Sequence, residues 1–168
     1  NHRYGEIFPE PVAFNFGEEL VKVPSLDGTG KMSKSENQNA TLYLSDDDEL
    51  IRKKVMKAKT DQGPQEPNTP MPDYIENIFQ LMRLTGNEEA YNKFLLDYNN
   101  CNIRYGDMKK QLAEDMIRFI TPVREKAREI RNNETYLKEI LEEGAAKAGK
   151  SAKNTMELVR KAVGIKYF

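Results

Sequence analysis

The spacing of apolar residues after residue 45 is the feature that most constrains the fold of this chain. Apolar side chains recur three and four residues apart, which places them on one face of an α-helix. Four such stripes follow one another: Ile75, Ile78, Phe79 and Met82; Tyr91, Phe94, Leu95 and Tyr98; Leu112, Met116, Phe119, Ile120, Val123, Ala127 and Ile130; and Leu137, Ile140, Leu141, Ala145, Ala148, Ala152, Met156, Val159 and Val163. Because each stripe needs a partner to exclude water, the sequence predicts a bundle of four or five helices.

Capping and breaking residues predict where these helices begin and end. Ser45–Asp48 resembles a capping box that starts the first helix, with carboxylates at the positive end of the helix dipole. Asn87 is expected to cap a later helix. Pro122 is expected to kink or split the long helix. Gly144 and Gly149 either interrupt the last helix or admit close contact with a neighbour.

The first 44 residues have a different, turn-rich character. Phe14–Phe16 and Leu20–Val23 are short apolar or alternating runs, and prolines and glycines separate them. Runs this short cannot close a stable sheet alone. The sequence therefore predicts that residues 1–44 are the end of a larger α/β domain, and that residues 45–168 form a helical domain.

Composition excludes several classes of protein and of chemistry. Charged residues make up 32% of the chain, and no run approaches the roughly 20 apolar residues of a membrane helix. With no secretory signal at its start, the chain is expected to be soluble. Cys101 and His2 are the only cysteine and the only histidine. Disulfide frameworks and metal sites built from cysteine or histidine are thereby excluded, which leaves lysines, hydroxyls, carboxylates and the backbone for any chemistry.

Charge is unevenly distributed along the chain. Residues 144–168 hold six basic residues and one acid, a net charge of +5, whereas residues 1–143 hold 20 basic and 26 acidic residues, a net charge of −6. A basic end on an acidic body is typical of contact with a polyanion. A solvated helix face explains the charge equally well, so charge alone leaves both interpretations open.

A lysine- and serine-rich loop is the segment most able to carry chemistry. Residues 28–35 read Gly-Thr-Gly-Lys-Met-Ser-Lys-Ser. Such a loop brings ammonium groups and backbone N–H groups to a triphosphate, while its glycines let the backbone turn. Transfer at phosphorus depends mainly on positioning and charge neutralisation, so lysines suffice without histidine or cysteine. From the physics alone, an ordinary surface loop is the simpler interpretation.

The string Lys-Met-Ser-Lys-Ser at residues 31–35 resembles the KMSKS signature of class I aminoacyl-tRNA synthetases. Further stretches are similar to tryptophanyl-tRNA synthetases of the bacterial type in order and spacing. They are Arg3–Glu6 followed by Phe8 and Pro9, Val23–Leu26, Ala58–Asp61, Tyr105–Lys109, Thr121–Glu125 and Glu143–Ala148. The resemblance covers essentially the whole chain. It covers only the carboxy-terminal half of that enzyme, because no HIGH-type motif or tryptophan pocket is recognisable here.

The resemblance implies a role in ATP-dependent activation of tryptophan. Lys31 and Lys34 would be the catalytic residues, in contact with the ATP phosphates and then with pyrophosphate. The residues implied to bind ATP are Val23 through its backbone, Lys31, Met32, Ser33, Lys34 and Ser35. In this reaction the tryptophan carboxylate attacks the α-phosphorus, Mg²⁺ accompanies ATP, and tryptophan passes to tRNA. No protein-bound metal or prosthetic group is implied.

The resemblance also implies a fold, partners and a location. A mainly α architecture is expected, in which the end of a Rossmann-like catalytic domain precedes a helical anticodon-recognition domain. The implied partners are tRNA(Trp), ATP and L-tryptophan, without a membrane, in a cytoplasmic enzyme that is a homodimer at full length. The basic residues expected to reach tRNA are Lys147, Lys150, Lys153, Arg160 and Lys161.

Two alternatives to this assignment stay open. The chain is alternatively a fragment of a tyrosyl-tRNA synthetase, or a non-catalytic tRNA-binding or regulatory helical module that retains the loop.

The chain departs from the family pattern just before the loop. The approach to the loop reads Asp27–Gly30 where the family more often has an Asp-Pro pair, and its extra glycine predicts a mobile approach. Because half of the expected site is missing, the isolated chain is expected to be inactive.

Overall fold

Five α-helices dominate the computed structural model, which describes residues 1–14, 22–35 and 37–165. They are α1 (Asp48–Met56), α2 (Asp73–Leu84), α3 (Glu88–Asn99), α4 (Tyr105–Asn132) and α5 (Glu134–Val163), preceded by a 3₁₀ turn at Gln38–Ala40. No strand forms within the described ranges; one antiparallel bridge joins Pro24 to Lys31. The prediction of a mainly helical chain is confirmed. The apolar runs Phe14–Phe16 and Leu20–Val23 lie largely outside the described residues.

The chain divides into two compact units. One is Val21–Lys126, and the other combines Asn1–Leu20 with Ala127–Phe168. These units are defined by packing, so the functional boundary expected at residue 44 stays a prediction.

The hydrophobic core lies in the first unit and uses one face of each helix from α1 to the first half of α4. Its most deeply buried side chains are Ile51, Val55, Ile75, Ile78, Leu81, Met82, Tyr98, Met108 and Leu112. Phe79 meets Tyr98 edge to face, with ring centroids 6.2 Å apart. Leu26 and Ala40, from the segments that flank the lysine loop, are part of the same core. Burying this apolar surface therefore fixes both ends of the loop region to the helices.

The cap of α1 lies later than the sequence predicts. Asp47, not Ser45, is the N-cap, and its carboxylate accepts a hydrogen bond from the Leu50 N–H at 2.8 Å. Asp46 turns inward instead and is buried. The predicted cap of α3 is confirmed, because the Asn87 side chain accepts a hydrogen bond from the Ala90 N–H.

The expected burial of the last two stripes is partly wrong. Phe119 and Val123 on α4 are 54% and 49% exposed, and α5 has no buried residue in the described part of the chain. The spacing identifies the helix and its apolar face, but burial also needs a facing element, which spacing does not supply.

Neither the proline nor the two helical glycines interrupt the helices. α4 runs without a break through Pro122, so the expected split is wrong. α5 likewise runs through Gly144 and Gly149, and a Cβ at either position would meet no described atom within 4 Å. The glycines therefore admit no close helix contact among the described residues.

Candidate nucleotide-binding loop

The lysine loop, residues 31–35, directly follows a tight turn whose two sides pair in antiparallel fashion. The Met32 N–H donates to the Val23 carbonyl at 2.8 Å, and the Ser25 N–H donates to the Gly30 carbonyl at 3.0 Å. These two bonds pair the start of the loop with the segment before it. They bring the backbone of Val23 beside the loop, and its contact with the adenine stays a prediction.

The Asp27 carboxylate is the main hydrogen-bond acceptor within this turn. Its carboxylate accepts hydrogen bonds from the Ser25 hydroxyl at 2.7 Å, the Thr29 N–H at 3.1 Å and the Thr29 hydroxyl at 2.6 Å, and from the Asn37 amide at 3.0 Å. The bonds from Thr29 and Ser25 stabilise the charged form and hold the pKa of Asp27 well below its usual range. Side-chain hydrogen bonds thus join Asp27 to Ser25, Thr29 and Asn37. The mobility expected of Asp27–Gly30 stays a prediction.

Gly28 is fixed by both its backbone conformation and its surroundings. Its φ is +80°, and a Cβ placed there would lie 2.6 Å from Cβ of Tyr74 on α2. Gly30 has a similar φ of +76°, but a Cβ there would meet no described atom within 4 Å. The two glycines therefore separate the cost of backbone strain from the cost of steric overlap.

Substituting these glycines provides a matched test of the turn. Gly30→Ala is expected to cost about 1–2 kcal/mol of stability, because only the left-handed backbone conformation is strained. Gly28→Ala is expected to cost about 1–3 kcal/mol more, because the methyl group also collides with Tyr74. Urea unfolding of both variants measures the difference. Equal losses would show that the turn does not pack on α2 in this way.

The side chains of Lys31 and Lys34 are exposed. Among residues 1–14, 22–35 and 37–165, neither has a hydrogen-bond or ion-pair partner, although lysines elsewhere in the chain do. The Ser33 and Ser35 hydroxyls lie 3.0 Å apart. Met32 is half-buried against the core. The structure therefore places two exposed cations, unpaired within the described ranges, and two hydroxyls on a short loop that packs on the core through Met32.

A network that the sequence analysis did not identify lies behind the loop. Lys54 and Asp46 form an ion pair of 2.6 Å in which each side chain is only 7% exposed. Arg124 on α4 donates to the Asp46 carbonyl and to the Asp48 carboxylate. The sequence does indicate that Lys54 is buried. Lys54 follows Ile51 by three residues and precedes Val55, so it lies on the buried face of α1.

The basic residues near the carboxy terminus share one broad face of α5. At 3.6 residues per turn, Lys147, Lys150, Lys153, Arg160 and Lys161 fall within a sector of about 140°. Glu157 lies in the same sector, and Lys147 also pairs with Glu143 at 2.5 Å. Lys166, the sixth basic residue of this segment, is outside the described residues. α5 thus presents a moderately basic face.

The described part of the chain offers neither a membrane-spanning helix nor a cluster of metal-ligating side chains. No helix there is both long and apolar enough to cross a membrane. No group of three or more histidine, cysteine, aspartate or glutamate side chains is placed to hold a metal ion.

Comparison with known families shows to which family this chain belongs. A family model described as tRNA synthetases class I (W and Y) matches residues 1–121. The chain belongs to that family. Within it, a tryptophan–tRNA ligase from Porphyromonas gingivalis is 48% identical over 161 residues, covering 96% of this chain and 49% of the relative. One from Chlamydia caviae is 39% identical over 165 residues, covering 95% of this chain and 45% of the relative.

Solved structures of class I synthetases agree with the sequence relatives. A tryptophanyl-tRNA synthetase from Campylobacter jejuni, complexed with ADP and tryptophan, aligns with a TM-score of 0.73 and 31% identity. The alignment covers 98% of this chain and 50% of that structure. The predicted resemblance to tryptophanyl-tRNA synthetases is confirmed. The chain spans about half the length of the curated relatives it matches.

Proposed function

We propose that this chain is the carboxy-terminal half of a tryptophan–tRNA ligase, which joins tryptophan to tRNA(Trp) at the expense of ATP. The observation that carries the proposal is the pair of exposed ammonium groups of Lys31 and Lys34, which have no partner among the described residues. They stand on a loop held from behind by the core, in a chain whose relatives are tryptophan–tRNA ligases.

In this proposal, the loop acts on the triphosphate of ATP. Lys31 and Lys34 stabilise the negative charge that builds up as pyrophosphate leaves the α-phosphorus. The backbone of Val23 lies against the adenine, and Met32, Ser33 and Ser35 shape the loop or donate hydrogen bonds. Mg²⁺ accompanies ATP as part of the substrate.

The two parts of the chain have separate roles in the proposal. Residues 1–44 complete a Rossmann-like catalytic domain, and residues 45–168 form the helical domain that recognises the anticodon. The full-length protein is proposed to be a cytoplasmic homodimer with tRNA(Trp), ATP and L-tryptophan as its partners. Support comes from the helical content after residue 45 and from the structural match to the Campylobacter jejuni enzyme.

The isolated chain is expected to show no tryptophan-dependent exchange of pyrophosphate into ATP. It lacks a recognisable tryptophan pocket and HIGH-type motif, so the reactants are not held in attack geometry. The same assay on the full-length enzyme is expected to show exchange with tryptophan but not with tyrosine. Exchange by the isolated chain would overturn the assignment to half a site. Exchange with tyrosine alone would indicate a tyrosyl-tRNA synthetase, and no exchange at full length would indicate a non-catalytic tRNA-binding module.

The helical part is expected to bind tRNA weakly and in a salt-dependent way through the basic face of α5. If three or four of its five basic residues reach phosphates, the slope of log affinity against log salt is about −2 to −3, since each contact contributes about 0.7 at single-stranded regions. Titration of the chain with tRNA(Trp) at several salt concentrations measures the slope.

A matched pair of variants shows where the binding charge lies. One carries glutamine at Lys147, Lys150, Lys153, Arg160 and Lys161, and the control carries glutamine at five exposed basic residues of the other unit, Lys53, Lys57, Lys93, Arg104 and Lys110. Only the first variant is expected to flatten the slope. Full binding by the first variant would show that the basic face of α5 is only a solvated face.

A further inference from the structure

Thr41 is hydrogen-bonded to Ser33, the central residue of the lysine loop. Its hydroxyl donates to the Ser33 carbonyl at 3.2 Å and lies 3.4 Å from the Ser33 N–H, which donates to it. The next residue, Leu42, directs its N–H to the sulfur of Met32 at 3.4 Å. Thr41 itself is buried, with 6% of its surface exposed. One side chain thus satisfies both backbone groups of Ser33, which lies between Lys31 and Lys34.

The backbone of Thr41 is in turn fixed to the helices by a buried charge. The Lys54 ammonium on α1 donates to the Thr41 carbonyl at 2.8 Å and to the Asp46 carboxylate at 2.6 Å. The same carboxylate accepts the Tyr43 N–H at 3.0 Å. With Arg124 donating to the Asp46 carbonyl, the contacts run without a gap from α4 through α1 to Ser33.

The lysine at position 54 has a role beyond packing. Burying an ammonium group is costly unless acceptors surround it, and here one carboxylate and one carbonyl do so. A hydrophobic residue would fill the space but would leave the Thr41 carbonyl without its donor. The geometry is therefore suited to holding one backbone segment, the one that carries Thr41, in a single position.

We propose that Thr41 is a positioning residue for the lysine loop, with the buried Lys54–Asp46 pair and Arg124 as its support. By holding the backbone of Ser33, Thr41 limits where the loop can carry Lys31 and Lys34, so the two ammonium groups meet the triphosphate without a further loss of loop freedom. Thr41 does not itself touch the nucleotide. This inference rests on the proposed function, and it adds a residue outside the five-residue signature to the machinery of activation.

Two substitutions at position 41 test the role of the hydroxyl. Thr41→Val keeps the shape but loses both hydrogen bonds to Ser33, whereas Thr41→Ser keeps the hydroxyl. Thr85→Val is the matched control, because it removes a hydroxyl bond of 2.7 Å to the Met82 carbonyl at the end of α2. The readouts are amide hydrogen exchange at Ser33 in the 168-residue chain, and kcat and KM for ATP–pyrophosphate exchange in the full-length enzyme.

Thr41→Val is expected to speed amide exchange at Ser33 and to lower kcat about tenfold, with the KM for tryptophan unchanged. Thr41→Ser is expected to restore both values, and Thr85→Val to change neither. Unchanged exchange at Ser33, or an unchanged kcat despite faster exchange, would overturn the proposal. If the unsubstituted full-length enzyme does not activate tryptophan, the proposed function fails separately, and exchange at Ser33 still decides whether Thr41 holds the loop.

Discussion

Replacing Lys34 by alanine in the full-length enzyme is expected to slow formation of tryptophanyl-adenylate by about 10²–10³, comparable to the loss of one donor from an oxyanion hole. The Lys34 ammonium has no partner among the described residues, so its charge is free to meet the departing pyrophosphate. An interaction made chiefly in the transition state lowers the turnover rate rather than weakening ground-state binding. The affinity for tryptophan is therefore expected to change little. Single-turnover kinetics measure the chemical step directly.

Lys53→Ala is the matched control for this substitution. Lys53 is an exposed lysine on α1 and contributes to none of the contacts described around the loop. Its removal is expected to leave the chemical step unchanged. If Lys34→Ala also leaves that step unchanged, Lys34 is an ordinary surface residue and the assignment of the loop is wrong.

Replacing Lys54 by methionine is expected to destabilise the chain by about 3–5 kcal/mol, the typical cost of removing one partner from a buried ion pair. Methionine fills similar space, but it leaves the Asp46 carboxylate buried without its ammonium and the Thr41 carbonyl without its donor. Because stabilities of whole domains are small, this loss is a large fraction of the total. Urea unfolding, followed by near-ultraviolet circular dichroism, to which the buried Tyr98 contributes, measures it.

Arg52→Met is the matched control on the same helix. Arg52 forms two hydrogen bonds with Glu114, of 2.7 and 3.1 Å, but both side chains are about half exposed. Solvent screens such a pair, so its loss is expected to have a much smaller effect than the loss of Lys54. Equal effects of the two substitutions would show that the Lys54–Asp46 pair is not buried as described.

The sequence predicts local structure well because local structure depends on near neighbours. The stripe of Ile75, Ile78, Phe79 and Met82 is buried as predicted, and Asn87 caps α3. The KMSKS string predicts the family, since few unrelated loops combine these five residues in order. Each of these inferences needs information from only a few adjacent positions.

What the sequence does not predict depends on contacts between distant positions. Arg124 reaches Asp46 across 78 residues, and Lys109 donates to the Ala58 carbonyl across 51 residues, so neither contact is visible in local spacing. The predicted burial of the apolar stripe of α5 is wrong for a related reason. An apolar stripe such as that of Ile140 and Leu141 shows which face avoids water, but not whether any element covers it.

The hydrogen bonds in the approach to the loop are a second feature that composition does not predict. The glycines of residues 27–30 predict a mobile segment, but Asp27 collects donors from Ser25, Thr29 and Asn37. The donor from Asn37 lies ten residues away, beyond the reach of a turn analysis. A carboxylate that accepts hydrogen bonds from hydroxyl and amide groups can thus link backbone segments on both sides of a glycine-containing turn.

A crystal structure of the full-length enzyme with a non-hydrolysable ATP analogue and Mg²⁺ tests the assignment of the loop most directly. The ammonium nitrogens of Lys31 and Lys34 are expected within about 3 Å of triphosphate oxygens, the usual length of a charge-assisted hydrogen bond. The Val23 backbone is expected beside the adenine. A complex in which the nucleotide is bound while both ammonium groups remain in solvent, away from every phosphate, would contradict the role proposed for this loop.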